Sequence, residues 1–231
     1  MTNFTHLIIA GVGPGDSELI TLKAIREAET SDMILVPRSR INERGLAEKV
    51  IAHHLPSRKL TPILFPMIRD SKRRDEIIFS QLEAIRPEIE SSEKIFFPVI
   101  GDSVLYSTGA YLIEAMKKIT AVDVGFIPGI SAHSMACSCA KKFLALSDEI
   151  LSVIPGTASP EKISSALEVS DSIAVYKPSA IRDIKSLIDP QKFRMILRVD
   201  FAGIEGKEKI VDGESALEDV DEYLSVLLLK R

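Results

Sequence analysis

Leu7-Ile8-Ile9-Ala10-Gly11-Val12-Gly13-Pro14-Gly15-Asp16 is a short apolar run that ends in a glycine-rich turn. Behind it Leu19, Leu22, Ile25 and Ala28 recur at helical spacing, so the segment reads as a strand, a tight turn and a helix that returns along a sheet. The alternation continues. Met33–Val36 is a second strand, followed by a polar helix from about Glu43 to His54. Asp70 can cap a longer helix, in which Ile78, Leu82, Ile85 and Ile89 repeat at intervals of three and four and Pro87 kinks or ends the run. Strands at 95–100 and 122–127 flank a helix from Tyr111 to Lys118, and Ser131 to Lys142 is a helix of small residues. This rhythm builds a mainly parallel sheet covered by helices.

From Leu146 onward the pattern changes. Strands at 150–154, 172–176, 195–199 and 223–229 lie between short helices and Gly/Asp-rich turns, and the run from Asp200 to Asp221 is turn-rich. The expectation is an α/β protein of two α/β domains, residues 1–145 with a mainly parallel sheet and residues 146–231 with a smaller mixed one. No internal repeat or low-complexity segment is visible.

Composition narrows the function. The chain has 231 residues, 45% of them hydrophobic and 27% charged, which excludes disordered and collagen-like architectures. A formal charge of -4 argues against a surface built to embrace nucleic acid. Two cysteines make no disulfide framework, the N-terminus lacks the pattern of a signal peptide, and the longest apolar runs fall far short of the ~20 residues that span a bilayer. The expectation is a soluble, cytoplasmic protein with no membrane or nucleic-acid partner.

The first turn resembles a dinucleotide fingerprint, but Asp16 stands where the third glycine belongs, and no Lys-Ser/Thr pair completes a phosphate-binding loop. A carboxylate at that helix start would repel a pyrophosphate. Two further turns, Gly101-Asp102-Ser103 and Pro128-Gly129-Ile130-Ser131-Ala132, also end strands at the carboxyl edge of a parallel sheet, where ligands of open α/β sheets sit. Three glycine turns around one cleft suit a cationic, phosphate-free cofactor, with Asp102 available to hold a cation or ribose hydroxyls. Spacing alone leaves open a set of tight turns with no ligand. Cys137 and Cys139 lie on different faces of a helix without partners for a metal and read as packing residues. His53 and His54 read as helix surface, and Lys141 and Lys142 as a favourable helix end. His133 either faces a substrate or is structural.

Residues 11–24, 101–108 and 128–132 resemble the signature turns of the tetrapyrrole methylase family, and the likeness covers nearly the whole chain. Val36-Pro-Arg-Ser-Arg40, Leu64-Phe-Pro-Met67, and Tyr106-Ser-Thr108 followed by Tyr111-Leu112 are most similar to members that methylate C20 of precorrin-2 in cobalamin biosynthesis. The resemblance implies an S-adenosylmethionine-dependent methyltransferase, a homodimer, with its cofactor cleft between the two domains and no metal bound by the protein. It assigns the cofactor to Pro14, Ile100, Gly101, Asp102, Leu105, Ser131, Ala132, Tyr176 and Lys177, with Asp200 and Phe201 near a looser match. Ser17 and Ser103 stand where the family usually has proline. The tetrapyrrole substrate, precorrin-2 or cobalt-precorrin-2, carries many carboxylates, so Arg38 and Arg40, with Arg44 nearby, are expected at its rim. Asp102, Tyr106 and His133 are the candidate bases. Methylation of another ring carbon and a non-catalytic nucleotide-binding module are the alternatives.

Overall fold

The computed structural model describes residues 4–68 and 70–231, which divide into two compact units, Met1–Ser131 and Ala132–Arg231. In the first unit five parallel strands form a sheet in the order β3-β2-β4-β1-β5: β1 Thr5–Gly11, β2 Met33–Arg38, β3 Leu60–Leu64, β4 Lys94–Val99 and β5 Val122–Ile127. Helices α1 (Leu22–Glu29) and α2 (Leu46–His54) bury Ala24, Ala28, Ala47, Val50 and Ile51 on one face. Helices α3 (Ser71–Ala84), α4 (Arg86–Glu90) and α5 (Gly109–Met116) bury Ile78, Leu82, Ile89, Leu112 and Met116 on the other. The chain leaves neighbouring strands β1 and β4 toward opposite faces, so the switch point that opens a crevice at the carboxyl edge lies between them.

Local chemistry explains where these elements start and stop. Ser17–Leu19 forms only a single 3-10 turn, held by Glu18 N–H donating to Asp16 Oδ1, and α1 begins later, where Thr21 Oγ1 accepts from Ala24 N–H. Asp70 caps α3 by accepting from Arg73 N–H at 3.0 Å. The helical run then breaks at Ile85, and Pro87 opens α4 instead of kinking one long helix. Strand β3 was not anticipated, because Pro62 in its middle argues against a strand. It lies at the sheet edge, where a missing N–H is tolerated. Strands β2 and β4 pair only at Met33 with Ile95 and Ile34 with Phe96. Pro37 and Pro98 follow and cannot donate to a ladder, so the hydrogen bonding between the two strands stops short of the carboxyl edge.

The second unit opens with α6 (Ala132–Ala140) and has a mixed sheet in the order β6-β7-β10-β8-β9. Its strands are β6 Leu151–Pro155, β7 Ser172–Tyr176, β8 Met195–Asp200, β9 Lys209–Asp212 and β10 Ser225–Lys230. β6 runs parallel to β7, whereas β10 is antiparallel to both its neighbours, so β7 and β8 end at the same edge. α6 packs on one face with Ala174, Leu197, Val199 and Leu228. α7 (Pro160–Val169) and α8 (Ile184–Leu187) cover the other. The division between the units therefore falls ahead of the 145/146 boundary read from the sequence, because α6 packs on the second sheet. Its end is a Schellman turn: Lys141 takes a left-handed φ of 56°, and the N–H groups of Lys142 and Lys141 donate to the carbonyls of Cys137 and Ser138.

Candidate active site

In the first unit the three turns meet backbone to backbone. Gly101 N–H donates to the Gly13 carbonyl at 2.7 Å and Gly13 N–H returns to the Gly101 carbonyl at 3.3 Å, forming an isolated bridge beside the buried Pro14. A Cβ on Gly11 would lie 2.6 Å from the Gly101 carbonyl oxygen and 2.7 Å from Gly129 N, and one on Gly129 would overlap that same oxygen outright. Gly11 and Gly129 therefore exist to let peptide groups touch one another. Gly101 differs. Its φ of +76° favours glycine, yet a Cβ there would meet only the Ile130 carbonyl oxygen, at 4.0 Å. The space beside it is open for a ligand.

Asp102 fastens this junction. Its Oδ1 accepts from Val104 N–H at 2.9 Å, an Asx turn, and its Oδ2 accepts from Gly129 N–H at 3.3 Å. The carboxylate expected to hold a ligand thus also ties the second turn to the third. Ile100 and Leu105 flank it half-buried, and Ser131 ends the unit half-buried. The Ser103 hydroxyl is buried with no hydrogen-bond partner among the described residues. Tyr106 has a left-handed φ of 51°, and burial pushes its phenol pKa up from the ordinary value.

The second unit gathers Tyr176 and Lys177 at the end of β7 and Asp200 and Phe201 at the end of β8. Lys177 and Phe201 both adopt left-handed φ, 53° each, and their N–H groups donate to the carbonyls of Ser225 and Leu224. Such non-glycine conformations cost about 1–3 kcal/mol each and cluster where function fixes the backbone. Lys177 Nζ stands 4.8 Å from the centre of the Tyr223 ring. Ala132 begins α6, and the next residue, His133, donates its N–H to the Tyr176 hydroxyl at 3.3 Å and places its ring Nδ1 2.9 Å from the same oxygen. Asp200 is buried in an ion pair with Arg198 at 3.1 Å, and Arg198 also donates to the carbonyls of Ala216 and Glu218. Asp200 is thus tied into the framework of the second unit.

The arginines separate. Arg38 donates Nε and Nη2 to the two oxygens of Glu48 at 2.7 and 2.6 Å and Nη1 to the Ile41 carbonyl, and the Glu48 pairing raises its pKa. Glu48 is 3% exposed, so Arg38 compensates a buried charge. Arg40 is 74% exposed in a loose pair with Glu43, and Arg44 reaches Glu48 only at 3.7 Å. Sequence reasoning missed Glu48, although its place four residues after Arg44 is a pairing signal. It also placed His54 on the surface, whereas the half-buried ring sets Nε2 2.8 Å from the Ser17 carbonyl and anchors the chain after the first turn. Cys137 is buried as expected. Cys139 donates to Glu208 at 2.8 Å, and burial with that carboxylate pushes its pKa to about 11. Among the described residues no helix is long and apolar enough to cross a membrane, and no three His, Cys, Asp or Glu are grouped to hold a metal.

A sequence profile of the tetrapyrrole (corrin/porphyrin) methylases matches residues 6–216. A protein of Methanocaldococcus jannaschii named "Probable cobalt-precorrin-2 C(20)-methyltransferase" is 30% identical over 96% of this chain and 94% of its own. The cobalt-precorrin-2 C(20)-methyltransferase of Salmonella typhimurium is 27% identical over 74% of this chain and 72% of its own, and a precorrin-2 C(20)-methyltransferase of a Sinorhizobium species is 27% identical over 74% and 73%. Among solved structures, the uroporphyrin-III C-methyltransferase of Thermus thermophilus complexed with S-adenosylhomocysteine shares the fold, with a TM-score of 0.66 and 20% identity over 98% of this chain and 97% of that one. A cobalt-precorrin-4 methyltransferase gives 0.68 and 19% over 97% and 94%.

Proposed function

Because this chain belongs to the tetrapyrrole (corrin/porphyrin) methylase family, we infer that it transfers a methyl group from S-adenosylmethionine to C20 of precorrin-2 or its cobalt complex, a step of cobalamin biosynthesis. The observation that carries this reading is the 30% identity with a C20-methyltransferase across almost the full length of both chains. Cobalt in the names of two of the three relatives supports the cobalt-loaded form as the preferred substrate.

The residues present fit the methyl donor. The bare backbone at Gly101 leaves a cradle that a side chain would fill, and the carbonyls of these turns together with the Asp102 carboxylate suit a cationic, phosphate-free ligand. When bound, the donor supplies a methyl already activated by its sulfonium. What remains for the protein is alignment and the exclusion of water. Asp102 holds the second and third turns in register, and Pro14, Ile100, Leu105 and Ser131 shape the wall around them. Within the second unit Tyr176 is braced against His133 at the start of α6 beside Ala132, and Lys177 follows it; family resemblance supports a cofactor role for Ala132, Tyr176 and Lys177. Arg40 takes a carboxylate of the macrocycle, while Arg38 serves it only through the buried Glu48 and the loop it anchors. Family resemblance supports a homodimer in the cytoplasm, with cobalt entering as part of the substrate.

Anaerobic incubation of chelator-stripped protein with metal-free and with cobalt-loaded precorrin-2, read by mass and by carbon labelling, tests this. The expected outcome is a new methyl at C20 of at least one form without added metal. Binding of S-adenosylhomocysteine without transfer to either form would instead favour a non-catalytic module.

A further inference from the structure

Arg74 and Tyr111 come from different helices and stack, with the guanidinium carbon 3.8 Å from the ring centre. Their position follows from the topology. Gln81 of α3 exchanges hydrogen bonds with both backbone groups of Leu64, the last residue of β3, at 2.8 and 3.1 Å. Arg74 lies seven residues nearer the start of α3, which at 1.5 Å per residue raises it roughly 10 Å beyond the end of that strand. Tyr111 sits in the first turn of α5, which follows β4. Both residues therefore stand on the rim of the first sheet's carboxyl edge.

The pair keeps donors in reserve. Arg74 gives Nε and Nη2 to one oxygen of Asp75, at 2.9 and 2.8 Å, and among the described residues its Nη1 donates to nothing. The Tyr111 hydroxyl likewise has no hydrogen bond among the described residues, and the residue is 40% exposed. Stacking leaves the guanidinium N–H bonds in their own plane, so it consumes no donor while it fixes the rotamer. The contrast is with the cavity of about 300 Å³ beside α2, whose wall holds Arg38, Arg44 and Arg58. There Arg38 is taken by Glu48 and Ile41, and Arg58 by the carbonyls of Glu29 and Ser31. Two of the three arginines are thus already taken and Arg44 is an exposed chain 3.7 Å from Glu48, whereas the stack presents preorganised donors without acceptors.

We propose that the Arg74–Tyr111 stack is a carboxylate subsite that receives one peripheral carboxylate arm of the macrocycle through Arg74 Nη1 and Tyr111 Oη. The proposal rests on the methyl-transfer reading above and adds to it a residue pair that selects the substrate. Tyr111 acts both as donor and as the platform that orients Arg74. Asp75 holds the other side of the guanidinium, so the free side is the one offered to the ligand.

Steady-state kinetics of Arg74→Gln, Arg74→Lys and Tyr111→Phe on the precorrin-2 form that the wild type methylates, with calorimetric S-adenosylhomocysteine affinity beside each, test the subsite. Arg74→Gln is expected to raise the KM for the tetrapyrrole about tenfold, the scale of one lost charge-assisted hydrogen bond, with kcat and cofactor affinity unchanged. Arg74→Lys should recover only part of the loss, because an ammonium lacks the planar fork, and Tyr111→Phe should raise KM about threefold with the stack intact. The Arg74 side chain is 19% exposed and that of Asp75 50%, and an ion pair with one partner so open contributes little to stability, so its loss should leave the melting temperature close to that of the wild type. An unchanged tetrapyrrole KM in Arg74→Gln beside active wild type overturns the subsite alone, as does an equal loss of cofactor affinity. Absence of transfer by the wild type overturns the functional reading and the subsite with it.

Discussion

Glu48 is a carboxylate with 3% of its surface exposed, held by a bidentate Arg38 and a distant Arg44. Removing Arg38 strands a buried charge, so Arg38→Gln should cost about 3 kcal/mol in urea denaturation. Arg40→Gln should stay within about 0.5 kcal/mol of wild type and instead raise the KM for the tetrapyrrole, because its pair with Glu43 is open to solvent. If Arg38→Gln folds with unchanged stability and shows the larger rise in KM, the two assignments must be exchanged. A basic cluster after the second strand was legible as residue types and spacing. Which arginine faces inward was not, since that depends on α2 bringing Glu48 back over the strand end. Asp102 shows the same limit: its identity marked a site, but its bond to Gly129 joins positions whose proximity only the folded sheet creates.

The turns are elements in their own right, and their glycines divide by what surrounds them. Gly129→Ala drives a Cβ into backbone on two sides and should unfold or severely destabilise the first unit. Gly101→Ala meets open space and should cost only about 1–2 kcal/mol for its left-handed φ. It should nevertheless weaken S-adenosylhomocysteine binding, and equal affinity in calorimetry would remove the second turn from the site. At the second unit's far end Glu149 accepts from Leu146 N–H and pairs with Lys230 and Arg194. Lys230, then the Leu146 amide, hold its carboxyl below its ordinary value of 4.5. A depressed folded pKa means stability that is complete above that value and lost as pH falls through the depressed one. Denaturant melts across the acid range should therefore show a shallower loss for Glu149→Gln than for wild type. A parallel acid limb would show that this pair carries none of it. Alternation of apolar residues located most strands and helices. It passed over β3 and β9, two short edge strands: Pro62 disguises the first, and the second is mostly exposed and buries little apolar surface to betray it.

At the scale of the whole molecule, a parallel sheet and then a mixed one were legible because the spacing of apolar runs changes near Leu146, and both sheets have that character. The small helix before that change carries no mark of its owner. Ala136 and Cys137 would pack equally well on either sheet, and only contact with Ala174 and Leu228 assigns them to the second. The three-turn junction has a consequence for how the protein is made. Gly11 emerges early from the ribosome, but the peptide groups it must touch belong to Gly101 and Gly129. At ordinary synthesis speeds that is a wait of roughly ten seconds, for most of which β1 has neither of its neighbours, since β4 follows it by more than eighty residues and β5 later still. A nascent chain that stops short of Gly129 can hold the Gly13–Gly101 bridge but lacks the tie from Asp102 that completes the junction. A ligand of these turns therefore meets a first unit that is already complete, and plays no role in drawing its first strands together.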